Sequence, residues 1–161
     1  MFFSERARMS CYSGARPRRS TYALLLSSAT DELIRVGRLG NLRLQPGYYV
    51  YVGSALGPGG LRARLAHHMR PAERPHWHID YLRAKTTIEA VWFCYNRKSR
   101  EHNWAKRFAA MPGASGPMVG FGSSDCECES HLFFFGEYPA KALSLTTTRL
   151  GSTVAAAGSL L

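Results

Sequence analysis

Arg64 and His68 stand four residues apart within Arg64-Leu65-Ala66-His67-His68, so on a helix both side chains project from one face. A guanidinium clamps a phosphate that gains charge as it reacts, and an imidazole or phenol beside it can move a proton. Tyr51-Val52-Gly53-Ser54, a short way upstream, offers such a phenol. Together these residue types point to chemistry at a phosphate. Spacing alone, however, is better explained by an exposed Arg beside two solvated histidines. A second group comprises Asp125-Cys126-Glu127-Cys128-Glu129-Ser130-His131, with His76-Trp77-His78 earlier in the chain. Thiolates and imidazoles are the donors zinc favours. Yet Cys-x-Cys-x-x-His is not the usual Cys-x-x-Cys knuckle, and a packed loop of hydrogen-bonded polar groups is the preferred reading. In a further reading, Asp125 or His131 lines the cleft of the first group. Between Tyr51 and Arg64 runs a Gly-rich loop, residues 53–60. It lacks the terminal Gly-Lys-Ser/Thr of a P-loop, and Arg62 stands where the last glycine of a dinucleotide fingerprint belongs, so both nucleotide readings fail.

The elements that must position these groups follow from periodicity. Thr21 to Leu26 is a short apolar run and reads as a buried strand. Leu33 to Gly37 and Leu42 to Leu44 suggest a hairpin around Gly40-Asn41. Pro46-Gly47 marks a turn, and Tyr48 to Gly53 is a strand rich in aromatic and β-branched residues. Leu61, Leu65 and Met69 recur at helical spacing until Pro71, and Trp77 to Leu82 gives a short further helix or turn. Ile88 to Tyr95 reads as a strand, and Glu101 opens a helix to about Met111 with Trp104 and Phe108 on its apolar face. Leu132 to Phe135 is the final strand. Strands and helices interleaved in this way predict a small α/β (α+β) domain.

The chain of 161 residues is 45% hydrophobic and 20% charged, which excludes wholesale disorder, and four cysteines do not make a disulfide framework. Its net charge of +10 is unevenly placed. Residues 1–20 hold five Arg against Glu5, residues 21–110 hold fourteen basic against six acidic residues, and residues 111–161 hold two against four. Within 62–107, eleven basic residues face four acidic ones, the pattern of a nucleic-acid footprint. Gly53 and Ser54 of the Gly-rich loop, with Arg62, Arg70, Lys106 and Arg107, are the candidate contacts to DNA or, second, RNA. The longest early apolar run, Tyr22 to Leu26, is too short to span a bilayer. The expectation is a soluble, reduced, cytoplasmic domain over residues 20–138. Residues 1–19 would be a disordered basic arm or an organelle transit segment, and residues 139–161 a frayed tail. Cys11, in the arm, and Cys94, in a strand, read as free thiols.

Three runs in order carry a resemblance: Pro46 to Gly57, His76-Trp77-His78-Ile79-Asp80-Tyr81-Leu82, and Gly120-Phe121-Gly122-Ser123-Ser124-Asp125-Cys126 with His131-Leu132. With Arg64 and His68 they resemble the Uri-superfamily branch of the GIY-YIG nucleases over about residues 20–135. Tyr51-Val52-Gly53 matches the second triplet of that family. Its first triplet falls on Ser20-Thr21-Tyr22, where Ser20 replaces the naming glycine but the tyrosine is kept. The hairpin between Tyr22 and Tyr51 accounts for their wide separation. The resemblance implies a small central, mainly antiparallel sheet flanked by helices. It also implies an endonuclease that hydrolyses DNA with Mg²⁺ or Mn²⁺, in DNA repair or processing. On that basis Glu101 would bind the metal and Arg64 would neutralise the phosphate. Tyr22, its pKa lowered by Arg64 or the metal, would take a proton from the attacking water. Tyr51 would position water or phosphate, and His68 would assist proton transfer or bind the phosphate. Two rival expectations stand beside this one: a catalytically silent nucleic-acid-binding module, and a Cys/His zinc module for protein contacts.

Overall fold

Tyr22, Leu24 and Leu26 point to one side of the first strand and Ala23 and Leu25 to the other, and all five are buried. A strand covered on both faces reads as a continuous apolar run, which is why Thr21 to Leu26 shows no alternation. The computed structural model describes residues 18–95, 98–140 and the backbone of 153–156. Cys11 and most of the basic arm lie outside these residues, as do 141–152 and 157–161 of the C-terminal segment.

Strand β1 (Ser20–Ser28) pairs antiparallel with both β4 (Gly47–Ala55) and β5 (Thr87–Tyr95). Strand β6 (Leu132–Phe135) extends the sheet beyond β4 and β7 (Thr153–Ala156) beyond β5, giving the order β6-β4-β1-β5-β7. Every pairing is antiparallel. The fold is therefore α+β, with a central antiparallel sheet and three helices among the described residues: α1 (Gly60–His68), α2 (His78–Arg83) and α3 (Glu101–Ala109).

The chain between β1 and β4 forms a separate hairpin of β2 (Glu32–Val36) and β3 (Gly40–Leu44). Its turn differs from the expected Gly40-Asn41. It closes at residues 37–39, where Leu39 N donates to Val36 O at 2.9 Å and Gly37 supplies the left-handed φ of +50°. Gly40 and Asn41 instead belong to the ladder of β3.

Two cores result, one on each face of the sheet. On the first face, Tyr22, Leu24 and Tyr49 pack under Leu61 and Leu65 of α1, Ile79 and Leu82 of α2, and the inward residues of the hairpin. On the second, Ala23, Val50, Val52 and Trp92 pack under Trp104 and Phe108 of α3, joined by Phe133 and Phe135.

Candidate active site

Cross-strand register decides where the two tyrosines meet. Tyr22 lies opposite Gly53 and Leu24 opposite Tyr51, so Tyr22 and Tyr51 are diagonal neighbours on one face. Their ring centroids are 6.4 Å apart in an edge-to-face arrangement. The Tyr22 ring fills the space above Gly53, where a Cβ would stand 2.7 Å from the phenol oxygen. Gly53 is thus buried and serves the placement of Tyr22. It is not available as the nucleic-acid contact expected of it.

Helix α1 delivers the next two groups. Arg64 and His68 share a face as their spacing predicts, but His68 is only 1% exposed rather than solvated. The Tyr22 phenol oxygen and His68 Nε2 are 2.7 Å apart. Burial, then the charges of His67 and Arg64, lower the His68 pKa to about 3. A neutral ring leaves Nε2 free to accept the Tyr22 proton, and Nδ1 then has no hydrogen-bond partner among the described residues. Burial also holds Tyr22 well above its ordinary pKa, with Tyr51 adding to the rise and Arg64 offsetting only part of it. Of the two causes expected to lower the Tyr22 pKa, the Arg64 guanidinium is outweighed by removal from water. Tyr51 is raised as well, by burial first and by Glu101 next.

Helix α2 and the turn before it hold Arg64 in place. The Arg64 guanidinium lies 4.2 Å from the centre of the Trp77 ring, a cation–π contact. His67 packs edge-on against the same indole, 4.6 Å between centroids, and its Nε2 is 2.8 Å from Asp80 Oδ1. Asp80 Oδ2 accepts from the backbone N–H of His76 at 2.9 Å and of Trp77 at 3.0 Å. Burial opposes an ionised Asp80, but these donors outweigh it and hold the carboxyl below its usual range. Arg83, also buried, donates from Nε to the His68 carbonyl at 2.8 Å and ties α2 to the end of α1. Sequence reasoning left Trp77, Asp80 and His67 without a role. An Asp three residues into a short helix is a legible capping signal, but its reach to His67 is a tertiary contact.

Helix α3 packs on the opposite face of the sheet, yet its first residue reaches round to this side. Tyr22, Tyr51, Arg64, His68 and Glu101 line one cavity of about 440 Å³, shared with Ser54, Trp77 and Asp125. His131 Nδ1 lies 2.9 Å from Glu101 Oε1, although no acceptor among the described residues sits in line with an Nδ1–H bond.

A family model described as a domain of unknown function, DUF123, matches residues 21–152. The chain belongs to that family. Searches of curated proteins and of solved structures found no match.

In this DUF123 domain the remaining site candidates divide between places. His76, His78 and Asp125 line the cleft and do not join the cysteines. His78 Nδ1 accepts the Gly122 N–H at 3.0 Å and so pins the loop that covers Tyr51. Cys126, Cys128 and His131 are instead joined by His102, with donor atoms all within 4.8 Å of one another. His102 carried no sequence signal, being brought in by the start of α3. His67, His68 and Asp80 form a further group that could hold a metal ion by the same distance. Ser54 faces the cleft, whereas Arg62, Arg70, Lys106 and Arg107 are exposed and do not line it. Lys106 borders a separate cavity of about 370 Å³ beside Glu127 and Glu129. Among the described residues no helix is long and apolar enough to cross a membrane.

Proposed function

We propose that this domain is a divalent-metal-dependent endonuclease that hydrolyses DNA phosphodiester bonds within the cleft. The observation that carries the reading is the convergence of Tyr22, Tyr51, Arg64, His68 and Glu101, from the four elements β1, β4, α1 and α3, on one cavity. Arg64 binds the scissile phosphate, its guanidinium flattened on Trp77 so that little freedom is lost on binding. Tyr51 Oη orients the attacking water against that phosphate. With burial keeping both phenols protonated, Tyr22 acts as a relay rather than as a free phenolate. As the water gives a proton to Tyr22 Oη, the phenol passes its own to His68 Nε2, 2.7 Å away. The new water oxygen–phosphorus bond forms, the bond to the leaving sugar oxygen breaks, and that oxygen takes a proton from solvent. Arg64 holds the charge that builds on the non-bridging oxygens.

Glu101 and Asp125 both line the same cavity and offer hard oxygen donors, which suits Mg²⁺ or Mn²⁺ with waters completing the shell. Such an ion would supply charge neutralisation and a more acidic water. The imidazole of His131 beside Glu101 Oε1 fits a group that orients a ligating carboxylate.

The test is a nicking assay on plain, branched and damaged duplex DNA with Mg²⁺ or Mn²⁺, comparing wild type with Arg64→Ala and Glu101→Gln. Cleavage by wild type and its loss in both variants is the expected result; variants that cut as fast as wild type would exclude this site. One observation favours a second reading. A His68 that protonates only near pH 3 is a weak terminal base, and salt-sensitive DNA binding without nicking would identify a silent binding module.

A further inference from the structure

We propose that His102, Cys126, Cys128 and His131 form a tetrahedral zinc site that clamps the loop before β6 onto the start of α3. Of these side chains only His131 borders the phosphate site, through Glu101, and the proposal stands whether or not the cleft cuts DNA. His102 Nδ1 lies 3.3 Å from Cys128 Sγ, and His131 Nε2 lies 3.5 Å from Cys126 Sγ. Zinc–sulfur and zinc–nitrogen bonds of ordinary length give a tetrahedron whose edges are roughly 3.3–3.8 Å. Two of the six donor pairs therefore already stand at about the spacing the ion requires, and all four donors, drawn from two segments of the chain, lie within 4.8 Å of one another.

A second observation is the state of His131. It is 1% exposed, its Nε2 faces a thiol, and its Nδ1 faces Glu101 Oε1 at 2.9 Å. A histidine that ligates zinc through one nitrogen typically presents the other to a carboxylate. Zinc would bind the two thiolates, releasing two protons to solvent, and would fix the loop carrying Gly122 against Tyr51. Thiolate and imidazole donors select zinc over the hard ions suited to Glu101.

The test uses full-length protein, purified under reductant and reconstituted with zinc, then freed of excess metal. One equivalent of zinc per chain is expected, lost in both Cys128→Ser and His102→Ala but retained in Cys94→Ala, a cysteine outside the cluster. Replacement by Co²⁺ should give the intense visible bands and thiolate charge-transfer absorption of a tetrahedral sulfur–nitrogen site. Far-UV circular dichroism checks that each variant is folded. If a variant unfolds, the cobalt spectrum of wild type decides. Substoichiometric zinc after reconstitution, zinc retained by both cluster variants, or a weak octahedral cobalt spectrum would overturn the proposal.

Discussion

The two faces of the central sheet are built by the same strands and differ in what they tolerate. Under α3, Trp92, Trp104, Phe108 and Phe133 form an apolar cluster, and Trp92 and Trp104 each leave a buried indole N–H without a partner among the described residues. Under α1 and α2, the apolar floor of Leu24, Leu26 and Leu65 gives way at one end to Tyr22, His68 and Asp80, all buried. Each of these polar groups is held by another: Tyr22 by His68, Asp80 by His67 and two backbone N–H groups. One face is an apolar support, and the other spends its burial on fixing polar groups. Register links them, since every odd–even step along β1 exchanges one face for the other.

That contrast is broken most forcefully by pairing one substitution from each face. Arg64→Ala should lower cleavage by about 10³-fold with little change in melting temperature, the loss expected for one group aimed at transition-state charge. Phe108→Ala should do the reverse. Its cavity costs about 3–5 kcal/mol, read as a shift in the urea midpoint, while the folded fraction cleaves nearly as wild type. If Phe108→Ala lowers turnover of folded protein as much as Arg64→Ala does, the two faces are not functionally distinct.

Within the reactive face, Tyr22→Phe separates chemistry from packing. Removing the phenol oxygen should reduce cleavage by about 10²-fold, while stability falls by only ~1–2 kcal/mol because His68 Nε2 loses its partner. Gly53→Ala should mimic the activity loss without touching the phenol, because the added Cβ would stand 2.7 Å from Tyr22 Oη. Normal cleavage by Gly53→Ala would show that the position of Tyr22 is not critical.

The same face carries a pH signature that the apolar face lacks. Buried His68 titrates near 3 in the folded chain and near the ordinary 6.5 when unfolded. The unfolded state therefore binds more protons between these values, and stability rises with pH across that window. Relative to neutral pH the loss at pH 5 is ~2 kcal/mol on the order-of-magnitude scale. His68→Gln should flatten the urea midpoint between pH 5 and 7. Asp80, whose pKa is lowered, contributes its own loss only as pH falls below the usual carboxyl range. An unchanged slope in His68→Gln would assign the pH dependence elsewhere.

Much of the fold was readable from the chain. Aromatic and β-branched runs marked β4 and β5, and helical spacing marked α1, because in each the buried face imposes a local period. The Arg64–His68 face was legible for the same reason. What sequence could not supply was the environment. Burial outweighs the expected effect of Arg64 on the Tyr22 pKa, and that burial comes from β4 and α1 together. His102 joins Cys126 and Cys128 only because α3 starts beside that loop, and Trp77 meets Arg64 only through α2. The expected tail also meets the sheet, with Thr153–Ala156 pairing with β5. These are contacts between segments far apart in sequence, and no periodicity encodes them.

Trp77 offers the smallest and sharpest measure of that tertiary support. The indole is 38% exposed, so its contact with Arg64 is worth about 1 kcal/mol. Trp77→Ala should thus weaken phosphate engagement by only ~5-fold, seen in KM more than in kcat, because the guanidinium keeps its charge and loses its orientation. Trp77→Phe should recover part of the loss, since a benzene ring still presents a negative face to the cation. The same substitution leaves Asp80 capped by the backbone of residues 76 and 77, so helix α2 stays formed and circular dichroism is unchanged. A loss as large as that of Arg64→Ala would instead mean that Trp77 itself stacks on the nucleic acid, and the effect would then grow on single-stranded substrates, whose bases are free to stack.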